Sequence, residues 1–308
     1  MANYNFLKQA EIYIVYGGSR YRLDVSEDIS FSQTFTDKTY AQRTLHEQHK
    51  LYDASKITTA NKADFGFTIP ALSTNQMDVV FNLLVDFKAG TTTLNTFDLY
   101  IKLPNDVYKL RNCVITNGVF LIEKLKDLRL TITGEASQLT RGATLPTAST
   151  TPAVTEVAYG TRTHQKLDFL SVRVGSTTLS AGVYKVSIEL QNGITWLPHE
   201  TINQALNVSS TATSMYPSNF SLDKRSLAGS IGQYISSDYN SDVQEWKINQ
   251  SIVVKAGKTD ELGFQFNLSN CSFTNRNNVG SAFTQNYDWK MNANPADLGS
   301  VLKFNNIT

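Results

Sequence analysis

The sequence predicts a mainly β fold with a few helices, an α+β chain whose two halves resemble each other. Three observations carry this. Apolar and polar residues alternate over most of the short apolar stretches, only two stretches carry helix signals, and the order of elements recurs after about 160 residues. Composition agrees: Ser, Thr and Asn make up 85 of 308 residues while only 18% are charged, which suits strands and polar loops better than a helical enzyme. With 28 Lys and Arg against 27 Asp and Glu, the net charge of +1 argues against a protein built to grip phosphate backbones.

The elements follow in order. Ile12, Ile14 and Tyr16 alternate, Gly17-Gly18 supplies a turn, and Tyr21 and Leu23 resume, which is a hairpin pattern. Ile29-Ser-Phe31 restarts a strand, and a polar stretch from Thr36 to Lys62 then reads as a long loop. Phe65, Phe67 and Ile69 alternate up to Pro70. Ser73 or Thr74 caps the clearest helix, whose Met77, Val80, Phe81 and Leu84 form one apolar stripe with Asp78, Asn82 and Asp86 turned away. Strands are predicted at 97–103, 107–114 and 128–133.

Residues 143–166, rich in Thr, Ala and Pro, read as a connector between a first domain, 1–142, and a second, 167–308. Strand patterns return at 170–174, 184–190 and 194–196, and a second polar stretch from Pro198 to Lys224 mirrors the first. Leu227, Gly229 and Ile231 form a strand, and Ser241-Asp-Val-Gln244 resembles a capping box opening a second helix. Phe264, Phe266 and Leu268 alternate before Asn270-Cys271, and Tyr287 to Met291 close the pattern.

The repeat aligns Asn112-Cys113 with Asn270-Cys271, Leu130–Ile132 with Trp289–Met291, Ile29–Phe31 with Ile194–Trp196, and Phe65–Ile69 with Leu227–Ile231. Each half is then a strand-rich sheet carrying one helix and one long loop. Two similar domains present two similar surfaces, so one chain can fill two positions of a ring, and three chains give a pseudo-sixfold ring.

No catalytic constellation emerges. His46 and His49 are spaced i, i+3 rather than the i, i+4 of a zincin helix, and His164 and His199 stand apart. Gly229-Ser-Ile-Gly232 lacks the frame of a nucleophile elbow. Cys113 and Cys271 are expected as reduced, buried thiols, and no cofactor or metal is expected. The N-terminus lacks a secretory pattern, and no apolar run approaches the ~18 residues that span a bilayer, so no membrane partner is expected.

Glu11-Ile-Tyr-Ile-Val15, Asp28-Ile-Ser-Phe31-Ser-Gln33 and Asp64-Phe-Gly-Phe-Thr-Ile69 resemble the N-terminal domain of siphophage major tail-tube proteins. Leu190-Gln-Asn-Gly-Ile194-Thr-Trp196-Leu-Pro198 and Leu227-Ala-Gly-Ser-Ile231 are similar to the second domain of those that carry two tube domains and build trimeric rings. The resemblance covers most of residues 10–300. It implies two tandem β-sandwich or half-barrel domains, each flanked by an α-helix, whose inner sheets join into a closed barrel in stacked rings that conduct viral DNA into the host.

The implied setting is a virion tail assembled in the bacterial host cytoplasm. The implied partners are further copies of the chain, a tape measure inside, and a tail terminator and distal tail protein at the ends. Double-stranded DNA passes without specific binding, along a channel that the family commonly lines with acidic groups. The polar loops would make the ring contacts, through Thr36, Tyr40, Arg43, His46, His49, Tyr52 and Lys56 in the first and His199, Asn203, Tyr216 and Phe220 in the second. The alternative keeps the fold in a distal tail or tube-initiating protein, and a further one is a lectin-like surface-binding β protein.

Overall fold

The computed structural model describes the chain apart from residues 1–8, 26–28, 43–51, 70–71, 124–125, 127–128, 159–161, 164–168, 180–181, 198–214, 236–245, 258–262, 293–301 and 305–308. The described residues are mainly β, with one short helix and a large mixed sheet linking seventeen strands.

The first half opens with strands β1 (Glu11–Tyr16) and β2 (Ser19–Leu23), an antiparallel hairpin. Its Gly17-Gly18 turn has φ of 58° and 77°, the left-handed pair that a two-residue hairpin loop requires. β3 (Ile29–Gln42), β4 (Tyr52–Ile69) and the short β5 (Leu72–Ser73) lead into helix α1 (Thr74–Val85). Val80, Phe81 and Leu84 are buried as the stripe requires, and Val79, Leu83 and Val85 are buried too. β6 (Phe97–Leu103), β7 (Asp106–Glu123), β8 (Arg129–Ala136) and β9 (Gln138–Arg141) complete this half.

The described strands within 143–166 pair back with the first half. β10 (Thr155–Val157) lies parallel to β2, and β11 (Arg162–Thr163) pairs with β5. The second half runs β12 (Phe169–Val174), β13 (Thr177–Thr178), β14 (Val183–Leu197), β15 (Asn219–Tyr234), β16 (Trp246–Gly257), β17 (Gly263–Val279), β18 (Phe283–Met291) and β19 (Leu302–Phe304).

Six antiparallel pairings of the first half recur in the second. β1–β2, β1–β6, β6–β7, β7–β8, β4–β8 and β3–β4 correspond to β12–β13, β12–β16, β16–β17, β17–β18, β15–β18 and β14–β15. Asn112 and Asn270 mark the same corner in each. Both hold positive φ, 52° and 54°, a conformation that Asn tolerates better than other side-chain-bearing residues. At that corner β7 passes from β6 to β8, and β17 passes from β16 to β18. Cys113 and Cys271 follow, both fully buried and unbridged, and burial pushes the Cys271 thiol up to about 12.

Register corrects the sequence alignment of the repeat. Ile132 lies between Phe67 and Gly118, and Tyr287 lies between Ile231 and Asn275, so Ile132 corresponds to Tyr287. The matched strands are the right ones, but the alignments of Phe65–Ile69, Ile29–Phe31 and Leu130–Ile132 are displaced along them. The physical reason is an exchange of large and small residues. Phe65 faces Gly134, whereas their counterparts are Gly229 and Trp289. A Cβ on Gly134 would stand 2.2 Å from Phe65 Cζ, and one on Gly229 would stand 2.6 Å from Trp289 Cζ2. The same volume is filled from opposite strands, which conceals the match from a linear comparison.

Two long loops were expected, and where the structure describes them they are mostly strand. Thr36–Gln42 and Tyr52–Lys62 continue β3 and β4 as one hairpin, and Asn219–Lys224 belong to β15. Alternation signals a strand with one buried face, and Thr36–Gln42 and Tyr52–Lys62 carry no sustained alternation. The second expected helix at Ser241–Gln244 lies outside the described residues, and Trp246 already belongs to a strand.

Candidate assembly interface

The long strands form an eight-stranded surface in the order β3–β4–β8–β7–β14–β15–β18–β17. Each half supplies four strands, β3–β4–β8–β7 and β14–β15–β18–β17. The halves meet edge to edge, with Asn117–Glu123 of β7 antiparallel to Lys185–Gln191 of β14 over seven residue pairs.

Side chains lock this junction. Phe120 meets Phe266 with ring centroids 5.4 Å apart, and Ser187, at the junction, shares a 2.9 Å hydrogen bond with Ser230. Asn192 Nδ2 donates to Leu84 O and Ile115 O, each at 3.0 Å. Arg225 Nε donates to Asn192 Oδ1 at 2.8 Å, and its Nη2 reaches Leu84 O and Val85 O at 3.0 and 2.8 Å. These are carbonyls of the last turn of α1, where a cation also suits the helix dipole. Burial pulls the Arg225 guanidinium down to about 10, against the opposing pull of Asp86, so it stays charged at neutral pH. Trp196 Nε1 donates to Glu135 Oε2 at 2.9 Å, and Ser137 Oγ to Pro217 O at 2.5 Å.

Among the described residues, no strand lies beside the outer edges of the surface: β3 pairs with β4 alone, and Asn275–Val279 of β17 pair with β18 alone. Those two edges correspond to the two that meet inside the chain: β3 to β14, and Asn275–Val279 to Gly118–Ile122 of β7. Their side chains differ accordingly. Ile122 is 4% exposed beneath Val186, whereas its counterpart Val279 is 76% exposed, and Phe283 beside it is 61% exposed. Val186 is fully buried and its counterpart Ile29 only half-buried. An open strand edge with exposed apolar side chains is a template for another chain.

The loop residues expected to make ring contacts are partly placed. Thr36 is exposed on β3, with its hydroxyl 3.3 Å from Asn61 Oδ1. Tyr40, Tyr52 and Lys56 lie on the β3–β4 ribbon, opposite Ser55, Gln42 and Thr39. Tyr216 is half-buried with its ring 6.5 Å from Phe35, and Phe220 packs 5.3 Å from Trp196. Arg43, His46, His49, His199 and Asn203 lie outside the described residues. Sequence reasoning missed Ile29, Val279 and Arg225. The one available signal was Val279 and Phe283, apolar residues in an otherwise polar Asn275–Phe283 stretch.

A cavity of about 500 Å³ is lined by Arg20, Thr147, Ala148, Ser149, Val154 and Glu156. Its cation is already engaged, since Arg20 pairs with Glu156 and donates to Pro146 O at 2.8 Å. Among the described residues no group of His, Cys, Asp and Glu could hold a metal ion, and no helix is long and apolar enough to cross a membrane.

Residues 2–306 match the Bacteriophage Baseplate Tube Protein Family. The chain belongs to that family. It is therefore a structural component of the phage tail and baseplate, part of the virion and not an enzyme. No curated protein matches the chain. A baseplate tube component fits the distal-tail alternative better than the repeating tube of the tail shaft.

Proposed function

We propose that this baseplate tube protein forms a closed ring by adding sheet edge to sheet edge, using two tandem tube domains per chain, at the distal end of the tail. The β7–β14 junction inside one chain carries this reading, because the same two edges recur unpaired at β17 and β3. Repeating the internal register places Val279 of one copy opposite Ile29 of the next, Asn278 opposite Ser30, and Asn275 opposite Gln33. Closure removes both open edges, the usual solution for a sheet that would otherwise grow or aggregate. Three chains bring six four-stranded units to the ring, with true threefold symmetry. The exposed face of the sheet then lines a channel for the genome, and the β3–β4 ribbon reaches a neighbouring subunit or ring.

Ser30→Cys combined with Asn278→Cys tests the register. Both residues are exposed, and the native Cys113 and Cys271 are buried and unavailable to an oxidant. Mild oxidation is expected to give covalent species ending at the trimer. Absence of cross-links at every protein concentration, or a ladder running past the trimer, rejects the closed ring. The distal position is tested by stoichiometry in purified virions: a few copies are expected, and a number that grows with tail length rejects it.

A further inference from the structure

We infer that the exposed face of the eight-stranded surface is a charge-cancelled wall, in which carboxylates balance the cations and pair directly with three of them, leaving a DNA duplex little to grip. The inference rests on the reading that this face lines a channel.

Alternation along each strand separates the two faces. On β8, Leu130, Ile132 and Ala136 are buried, while Arg129, Thr131, Thr133 and Glu135 point the other way. Following the pairings outward, that face carries Lys62, Arg129, Lys185, Lys224, Arg276 and Lys290 as cations. Its anions are Asp64, Glu123, Glu135, Glu189 and Asp288, together with Asp223, which accepts hydrogen bonds from Thr195 and Ser221 at the β15 bulge, so six charges of each sign cancel.

The cancellation is local. Lys62 sits 3.3 Å from Asp64 and is also paired with Glu135. Glu123 holds Lys185 at 3.3 Å and, from the adjoining turn, Lys126. Arg276 is paired with Asp288. These pairs fall in both halves and at their junction, while Arg129, Lys224 and Lys290 have no ion pair among the described residues.

Hydroxyls on the face also satisfy one another. Thr68 and Thr131 share a 3.2 Å hydrogen bond, as Ser187 and Ser230 do at 2.9 Å. Gly66, Ala228 and Gly232 on the same face offer no side-chain donor. Each Lys or Arg free to meet a phosphate would release a counterion and strengthen the grip. A strongly acidic wall would repel the duplex instead. This face does neither, in contrast with the acidic channel that the tail-tube resemblance implies.

The triple variant Asp64→Asn/Glu123→Gln/Glu135→Gln removes the masks from Lys62, Lys126 and Lys185 without altering shape. The probe is a short fluorescent DNA duplex, followed by anisotropy. The wild-type protein is expected to bind it weakly. The variant should bind and then lose about 40-fold in affinity between ~50 and ~200 mM salt, the slope for three phosphate contacts. Asp288→Asn, which alters one exposed pair, serves as a second variant and should add a slope of about one. Wild-type binding as tight as that of the variants, or no binding by either folded variant, overturns the inference. The Ser30/Asn278 cross-link made in the same proteins separates the two readings. Its loss strikes the ring, while intact cross-links with unchanged DNA binding strike only the charge-cancelled wall.

Discussion

Replacing Arg225 by Met tests whether the two halves are held together by the contact with the end of α1. Met keeps an unbranched apolar stem over Phe87, whose ring lies 4.8 Å from the guanidinium carbon, but removes every donor. Leu84 O keeps Asn192 Nδ2, whereas Val85 O and Asn192 Oδ1 lose their hydrogen bonds from the guanidinium. A buried acceptor left unsatisfied costs about 1–3 kcal/mol. Loss of a cation at a helix C-terminus adds roughly 0.3–1 kcal/mol, and loss of the cation–π contact about 0.5–2 kcal/mol. The variant should therefore lose at least about 3 kcal/mol in urea unfolding followed by tryptophan fluorescence and far-ultraviolet circular dichroism. Arg225→Lys should recover only part, since an ammonium cannot span three acceptors in the plane of a guanidinium. A loss under ~1 kcal/mol, or equal stability of the Lys and Met variants, would refute the idea that this fork joins the halves.

Four further outcomes are expected. Val279→Lys should leave monomer stability within about 0.5 kcal/mol, because the side chain is 76% exposed, yet prevent the ring as read by light scattering; trimers of the variant would contradict the edge assignment. Gly134→Ala should cost about 1–3 kcal/mol through overpacking, since its Cβ would meet Phe65 Cζ at 2.2 Å and Val114 O at 2.5 Å; unchanged denaturation midpoints would show that the strands part freely there. Replacing 37–58 by an Asn-Gly turn after the Thr36–Thr59 pair should leave a folded protein that cannot stack, and stacked rings in electron micrographs would remove the ribbon's assembly role. Acid should weaken the fold. Hydrogen bonds from Lys126 and Lys185 hold Glu123 below the usual carboxylate range, and Lys102 does the same for Glu11. Their stabilisation is complete above the ordinary carboxylate pKa and is lost as pH falls through the lowered values. Lys102→Met should flatten that part of a plot of melting temperature against pH, and an unchanged acid limb would show that the pair contributes nothing.

Elements with a regularly spaced core face were the most legible in the sequence. The β1–β2 hairpin, the stripe of α1 and the strands at 65–69 and 97–103 set their large apolar side chains on the core at strand or helix spacing, so their periods survive in the residue order. Asn112-Cys113 and Asn270-Cys271 revealed the repeat because a left-handed corner followed by a buried small side chain restricts residue choice at both places. The β3–β4 ribbon was illegible beyond Gln33 for the opposite reason: Phe35, Ile57 and Ala60 stand among polar residues with no period that marks a strand. The assembly edge was harder still. Ile29 and Val279 look like ordinary strand residues, and their meaning comes only from comparison with the buried pair Val186 and Ile122.

The sequence by itself determined the β character, the two-part order and the balance of charge, because each is a sum or a period over neighbouring residues. Tertiary structure alone decided which edges meet inside the chain and which stay open, which carboxylate masks which lysine, and that Phe65–Gly134 is answered by Trp289–Gly229. Those outcomes depend on contacts between residues far apart in sequence. Their energies reside in register and packing, which residue order constrains only after the sheets have formed.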